Sequence, residues 1–281
     1  FCFFFLIRRR QQRSTLFPYT TLFRYTEPVI EVFNVTFGRN GEKILDNVNL
    51  SVDPGDFYAI IGPNGGGKTT LLKIILGLLT QQSGSVRLLG GKPRETRKFC
   101  GYVPQFRTFD FRYPITVKEM VLSGRLAYIP GIRKRYRPLD LRMASDAMEK
   151  MGVSDLADRQ LCSLSGGEQQ SAIIARALAG GPRLLLLDEP LVFVDAPTQD
   201  HFYDVIEKLR SSMTIVLITH DIGVISTHVT KVACLNHQIY THGTNEITED
   251  MITSAYQCPV DLIAHGIPHR VLREHDGGEA D

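Results

Sequence analysis

The sequence predicts an α/β fold in which helices cover a parallel sheet. Three stretches of the 281-residue chain lead to this prediction. Residues from Pro28 onward are rich in strand patterns, residues from about 105 to 179 are mostly helical, and short strands then alternate with helices. Such alternation is typical of a parallel sheet with helices on its faces, so the last stretch indicates the α/β fold class.

The first stretch contains three strand patterns separated by turn residues. They read VIEVFNVTF, ILDNVNLSV after a GRNGEK turn, and FYAII, which runs into a glycine-rich loop. After Lys68 the run TLLKIILGLL has the length and period of a helix. Short strands are predicted near residues 85–89 and 100–104.

The second and third stretches each supply several candidate elements. The helical candidates read TVKEMVLSGRL, DLRMASDAMEKMG and EQQSAIIARALA. The alternating segments read RLLLLD, TQDHFYDVIEKLR, TIVLIT, DIGVIS and KVACLN. The helical stretch therefore interrupts the sheet as an inserted lobe.

Composition excludes several function classes. A chain that is 43% hydrophobic can bury a core, and a net charge of +2 gives no basic excess of the kind that nucleic-acid binders carry. The five cysteines have no CxxC spacing, so neither disulfides nor a zinc cluster is indicated, and a reducing cytoplasm fits best. The longest apolar runs fall short of the ~20 residues that span a bilayer, so a membrane role is expected to be peripheral.

Residues 1–24 are predicted to be foreign to the domain that follows. FCFFFLI precedes RRR, the reverse of the charge order in a secretory signal. The letters TLFPYTTLFR at 15–24 match a conceptual translation of a sequencing-library adapter. We therefore expect an adapter-derived leader at 1–24, with an ordinary disordered leader as the alternative, and a single domain at 25–281.

The segment GPNGGGKT fits the phosphate-loop pattern GxxxxGK[ST], and it lies between an apolar strand and a helix, as such a loop requires. The glycines let backbone N–H groups surround phosphates at the positive end of the helix, and Lys68 reaches the β and γ oxygens. Thr69 is predicted to bind Mg²⁺. The predicted ATP-binding residues are Gly62, Pro63, Asn64, Gly65, Gly66, Gly67, Lys68, Thr69 and Thr70.

Two carboxylates follow the apolar run LLLL at the end of a predicted buried strand. Asp188 suits a Mg²⁺ shell, and Glu189 suits the orientation of an attacking water, because phosphoryl transfer needs mainly positioning and charge stabilisation. A DE pair is usually only a solvated strand end. Its distance of about 120 residues from a phosphate loop favours the catalytic interpretation.

The segment LSGGEQQ at residues 164–170 is similar to the LSGGQ signature of ABC (ATP-binding cassette) ATPases. We call it the signature segment. Ser165, Gly166 and Gly167 are expected to precede a helix whose first amides are free, which makes a second anion site in one chain. The resemblance implies a two-fold homodimer in which each signature segment caps the γ-phosphate held by its partner.

The resemblance extends to further residues, each of which by itself would more often be a core, turn or capping residue. It implies that Gln105 in YVPQ is the Q-loop glutamine, a Mg²⁺ ligand and catalytic residue. By the same resemblance His220 is the catalytic switch histidine, Asp195 is the D-loop aspartate, and Phe37 stacks on adenine. The implied fold is a P-loop NTPase core with a mixed sheet, an N-terminal antiparallel β subdomain and a helical subdomain at about 105–179.

Five positions depart from the family pattern. Phe37 replaces tyrosine, Glu168 stands in the place of glutamine, and Ser171 takes the place of Arg or Lys. Val192 and Phe193 alter the D-loop. These departures put helix anchoring and dimer communication in question more than catalysis.

Three function classes compete: a transporter ATPase, a soluble ABC ATPase acting on DNA or ribosomes, and a non-catalytic nucleotide-binding module. One cassette without sustained heptads disfavours the second, and Lys68, Asp188, Glu189 and His220 disfavour the third. The chain looks most like the ATPases of zinc or manganese importers, with ATPases of iron-complex or cobalamin importers as the alternative.

The resemblance implies partners and a location. The partners are integral membrane permease subunits and, indirectly, an extracytoplasmic substrate-binding protein, and no nucleic acid is expected. The place is the cytoplasmic face of the cell membrane. A regulatory metal at Cys258, His265 and His269 is disfavoured because Pro268 breaks helical geometry between the histidines.

Overall fold

The computed structural model describes residues 27–105, 113–131, 135–191, 196–219 and 229–242. The strands within these ranges are β1 (Ile30–Arg39), β2 (Glu42–Val52), β3 (Phe57–Ile61), β4 (Ser83–Leu88), β5 (Cys100–Val103), β6 (Leu184–Asp188), β7 (Thr214–Ile218), β8 (Lys231–Asn236) and β9 (Gln238–His242). The α-helices are α1 (Lys68–Ile75), α2 (Pro93–Thr96), α3 (Val117–Ser123), α4 (Pro138–Lys150), α5 (Gly166–Ala179) and α6 (Ala196–Arg210). Short 3-10 turns lie at Arg97–Phe99, Leu126–Tyr128, Ser154–Leu156 and Leu161–Ser163.

The described strands form two sheets. The smaller sheet is antiparallel, with the order β2-β1-β4. The larger has the order β5-β6-β7-β3-β8-β9, in which β9 alone runs antiparallel to its neighbour. The mixed sheet and the antiparallel N-terminal β part agree with the predicted fold class.

The larger sheet carries an apolar cluster on each face, because successive side chains of a strand point to opposite faces. In β6, Leu184 and Leu186 pack against α1 and the smaller sheet, whereas Leu185 and Leu187 pack against the helical layer of α3, α4, α5 and α6. All five residues of β6 are buried, which explains why this strand is a continuous apolar run and not an alternating one.

Some boundaries differ from the sequence-based expectations. Helix α1 includes Lys68 and ends at Ile75, several residues before the end of TLLKIILGLL. Gly77 adopts a left-handed φ of 63°, and Leu78 N donates to Lys73 O, so the chain turns out of the helix there. Strand β9 and helix α2 were not predicted, and the predicted DIGVIS segment lies outside the described residues.

Among the described helices, none combines the length and the apolar character needed to cross a bilayer.

Candidate functional site

The loop between β3 and α1 is shaped by glycines at positions where a side chain does not fit. Gly62 has a φ of 148°, and a Cβ placed there would lie 2.0 Å from Leu235 O. Gly67 has a φ of 95°, and a Cβ there would lie 2.7 Å from a methyl carbon of Leu45. Only glycine tolerates these conformations and contacts, so the loop backbone comes close to β8 and β2.

Lys68, the first residue of α1, is 6% exposed and turns its ammonium group back into the loop. Its Nζ donates to Gly62 O at 2.8 Å and to Pro63 O at 2.9 Å, and lies 3.9 Å from a Glu189 carboxylate oxygen. Burial lowers the pKa of Lys68, and the nearby Glu189 and Asp188 carboxylates oppose that shift. Hydrogen bonds to the two loop carbonyls therefore hold the Lys68 side chain at the centre of the loop.

Asp188, the last residue of β6, meets the beginning of α1. Its side chain is 1% exposed, and Oδ1 accepts a hydrogen bond from the Thr69 hydroxyl at 3.2 Å. Burial raises the pKa of Asp188, while the hydrogen bond from Thr69 acts in the opposite direction. Carboxylate and hydroxyl oxygens are the hard ligands that Mg²⁺ prefers, so the donor set fits this ion.

Glu189 follows β6 in an uncommon backbone conformation, with a φ of 48°. Its amide donates to Ile218 O at 3.0 Å, which ties the residue to the end of β7. One carboxylate oxygen accepts a hydrogen bond from the Gln105 side-chain amide at 2.7 Å. A left-handed backbone is strained for a residue other than glycine, so the bond to Ile218 must stabilise this conformation. The Gln105 amide then holds the carboxylate in place.

The signature segment lies at the exposed start of α5. Ser165 is the N-cap, and Gly166 and Gly167 are the first two helical residues, so the prediction that both glycines precede the helix is wrong. Ser165 Oγ accepts from Glu168 N at 3.3 Å, and the Ser165 amide donates to the Glu168 carboxylate at 2.8 Å. The helix thus carries a complete capping box of its own.

Phe37 is half-buried and lies opposite Leu45 in the β1–β2 ladder, and Leu45 in turn touches Gly67. Phe37 therefore lies on the pair of strands that approaches the phosphate loop. Asn64 and Gly65 are exposed, Pro63 and Thr70 are half-buried, and Gly66 is buried. His220 and Asp195 lie outside the described residues, as do Val192, Phe193, Cys258, His265 and His269.

Two residues that sequence reasoning missed complete the geometry. Tyr102 donates its hydroxyl hydrogen to Asp188 Oδ2 at 3.5 Å, and Gln169 donates its side-chain amide to Leu161 O and Leu164 O at 3.0 and 3.2 Å. The signal for Tyr102 was its place three residues before Gln105. The bonds of Gln169 tie α5 to the segment before it, although Ser171 stands where the family pattern has Arg or Lys.

Residues 45–192 match the family described as "ABC transporter". The chain belongs to this family. A zinc uptake system ATP-binding protein, ZurA of Listeria innocua, is 39% identical over 76% of this chain and 85% of its own. A manganese transport system ATP-binding protein, MntB of Halalkalibacterium halodurans, is 35% identical over 82% of this chain and 92% of its own.

Solved ABC structures share the fold. One belongs to an inward-facing ABC transporter assigned to the metal-chelate type, 29% identical over 84% of this chain and 91% of its own, with a TM-score of 0.74. Another is the dimeric structure of a bacterial ABC transporter cassette, 27% identical over 78% of this chain and all of its own, with a TM-score of 0.64. The predicted family, the fold class, ATP binding and an ABC-type ATPase activity coupled to transport are thereby confirmed.

Proposed function

We propose that this chain is the ATP-hydrolysing subunit of an importer of divalent metal ions, Zn²⁺ or Mn²⁺. The observation that carries the proposal is the convergence of Lys68, Asp188 and Glu189 within one buried site, in a chain similar to zinc and manganese transport proteins. The geometry of the site supports ATP hydrolysis, and the similarity to zinc and manganese transport proteins supports the proposed transported ion.

The proposed roles follow from the geometry of the loop. Backbone N–H groups of residues 64–67 and the ammonium of Lys68 bind the phosphates, and the Phe37 ring stacks on adenine. Thr69, Asp188 and Gln105 would hold Mg²⁺. The chemistry that Mg²⁺ supplies when bound is neutralisation of charge on the β and γ oxygens.

We assign the positioning of the attacking water to Glu189. Its carboxylate lies 3.9 Å from the Lys68 ammonium and is held by Gln105, so it stands beside the group that binds the γ-phosphate. From the family resemblance we assign the switch role to His220 and the dimer contact to Asp195. The proposed nucleotide-binding domain spans 25–281, with its helical subdomain at about 105–179.

We propose a homodimer that works with integral membrane permease subunits at the cytoplasmic face of the cell membrane. In it, Ser165, Gly166 and Gly167 of one protomer cap the γ-phosphate bound by the other. Closure with ATP and opening after hydrolysis bias a two-state permease, which an extracytoplasmic substrate-binding protein supplies with metal. The exposed position of Ser165 supports a role between protomers.

Glu189→Gln tests the catalytic part of the proposal. The variant should bind ATP, lose about 10²–10³-fold of its turnover and accumulate as a nucleotide-bound dimer, because the water loses its orienting carboxylate. ATPase assays and size-exclusion chromatography with ATP measure both effects. Near-normal hydrolysis contradicts the assignment of Glu189.

Reconstitution tests the cargo. The chain is co-purified with the permease encoded beside its gene and reconstituted with the corresponding binding protein, and ATPase activity is measured metal by metal. Stimulation by the Zn²⁺- or Mn²⁺-loaded binding protein supports the proposal. Stimulation only by an iron chelate or cobalamin contradicts it, while leaving the ATPase chemistry intact.

A further inference from the structure

Tyr102 is a partly buried polar residue to which the family resemblance assigned no role. It lies on β5, and its register partner on the neighbouring strand β6 is Leu186. Because side chains two residues apart on a strand share a face, Tyr102 and Asp188 lie on the same face of the sheet. The tyrosine packs against the apolar cluster that also contains α1.

Two hydroxyl groups hold the two oxygens of the Asp188 carboxylate. Thr69 donates to Oδ1 at 3.2 Å, and Tyr102 donates to Oδ2 at 3.5 Å. Asp188 is 1% exposed, so water contributes little to the solvation of its charge. The orientation of the carboxylate therefore depends on hydroxyls from α1 and β5.

Strand β5 and the residues just after it reach both carboxylates at the end of β6. Tyr102 contacts Asp188, and Gln105 contacts Glu189 at 2.7 Å. The two donors are three positions apart in the sequence, and the two acceptors are adjacent. One short segment thus sets the orientation of two successive acidic side chains.

We infer that Tyr102 is a positioning residue for the Mg²⁺ end of the site, because its hydroxyl holds the Asp188 carboxylate in the orientation in which Oδ1 meets Thr69. The inference rests on the proposed role of Thr69 and Asp188 as Mg²⁺ ligands. It goes beyond that proposal, since it assigns to Tyr102 a function in metal affinity rather than in packing.

Tyr102→Phe tests the inference on the full chain, because it removes one oxygen and keeps the ring. The Mg²⁺ concentration that gives half-maximal ATPase activity should rise by about three- to tenfold, the range expected for one lost hydrogen bond. Excess Mg²⁺ should restore most of the maximal rate. Binding of a fluorescent ATP analogue should weaken when Mg²⁺ is present and stay within about twofold of the unmodified chain in EDTA.

Tyr58→Phe is the matched control. Tyr58 is a buried tyrosine on β3 of the same sheet, and losing its hydroxyl should leave the Mg²⁺ requirement unchanged. Both variants are assayed well below their melting temperatures. An unchanged Mg²⁺ requirement in Tyr102→Phe overturns the inference, as does an equal shift in Tyr58→Phe or an equal loss of ATP affinity in EDTA.

Asp188→Asn separates failure of the inference from failure of the proposed site. A change in the Mg²⁺ requirement of Asp188→Asn, with none in Tyr102→Phe, overturns only the role of Tyr102. If the Mg²⁺ requirement of Asp188→Asn is also unchanged, the assignment of the magnesium ligands is wrong, and the inference falls with it.

Discussion

Helices α1 and α5 both begin at glycine-rich segments, but their first turns are completed in different ways. At α1 the N-cap is Gly67, whose φ of 95° is left-handed and which supplies no side-chain hydrogen bond. At α5 the N-cap is Ser165, which forms a reciprocal capping box with Glu168. The start of α1 therefore has no side-chain cap, whereas at the start of α5 the Ser165 and Glu168 amides are bonded by the box.

The two helix starts also differ in burial. Helix α1 lies against the sheet, and Lys68 is buried among loop carbonyls. Helix α5 presents Ser165 to solvent, while its C-terminal carbonyls at Ala179 and Gly180 accept hydrogen bonds from Arg125. The buried, uncapped start of α1 supports the proposed binding of nucleotide within one chain, whereas the exposure of Ser165 supports the proposed role of α5 between protomers.

Removing the charge at α1 should have the largest effect. Lys68→Ala should lower ATP affinity and hydrolysis together by about 10²–10³-fold, because the phosphates lose their central cation. Fluorescent-nucleotide binding and ATPase assays measure both losses. Lys150→Ala, at the exposed end of α4, is the control and should retain both activities; retention of ATP binding in Lys68→Ala would contradict the assignment of α1.

Blocking the start of α5 should separate binding from hydrolysis. Ser165→Arg should leave ATP affinity within about twofold of the unmodified chain, yet reduce turnover by about 100-fold and prevent ATP-dependent dimers, because the bulky cation obstructs closure. Ser154→Arg makes the same change at another exposed site of the helical layer. Loss of ATP binding in the Ser165 variant would show that both helix starts bind the nucleotide of the same chain, which contradicts the proposed site between protomers.

The other end of α5 offers a test of how the helix is held. Arg125, which binds the C-terminal carbonyls of α5, is paired at 3.0 Å with the buried Asp140. Asp140→Asn should lower the free energy of unfolding by about 3 kcal/mol, because it leaves a buried guanidinium without its counter-ion. Urea denaturation measures the change, and Asp146→Asn on the exposed face of α4 should leave stability nearly unchanged. Equal stability of the two variants would refute the importance of the pair.

The ion pairs of Asp140 with Arg137 and Arg125 also make stability depend on pH. Hydrogen bonds from Arg137, supported by that of Arg125, lower the pKa of Asp140 from 3.8 to about 2 despite its burial. Because the pKa is lower in the folded state, the contribution of Asp140 to stability is fully present above its unfolded pKa. It is lost as the pH falls through about 4 towards 2. In Asp140→Asn the free energy of unfolding should therefore fall less between pH 4 and pH 2 than in the unmodified chain, which urea denaturation at several pH values measures.

The smallest effect is expected at the capping box of α5. Glu168→Gln retains a box of the same shape and should change stability by only a few tenths of a kcal/mol, since the lost charge lies at an exposed helix N-terminus. ATP-dependent dimers should tighten by about two- to fivefold, because a carboxylate no longer faces the partner's phosphates. Analytical ultracentrifugation with ATP measures this.

Helix α3 supplies a matched control, because Thr116 and Glu119 form the same box there. Glu119→Gln should leave dimerisation unchanged. The same gain in both variants, or weaker dimers in Glu168→Gln, would contradict the proposed position of Glu168 at the dimer interface.

The sequence by itself determined the fold class, and it predicted the residues of the nucleotide site. The GPNGGGKT segment combines a strand before it, a helix after it and glycines where backbone amides must approach phosphates. LLLLDE identified a buried strand and its two carboxylates, because apolar continuity and terminal charge are local properties of a sequence. Both patterns are short, so their meaning does not depend on distant residues.

Only the tertiary structure decided which side chains meet across strands. The contact of Tyr102 with Asp188 depends on the order and register of β5 and β6, which lie more than 80 residues apart in sequence, and no local pattern specifies them. The left-handed conformation of Glu189 likewise depends on its bond to Ile218 at the end of β7. The physical reason is that local sequence determines what a segment can form, whereas strand register emerges from packing of the whole core.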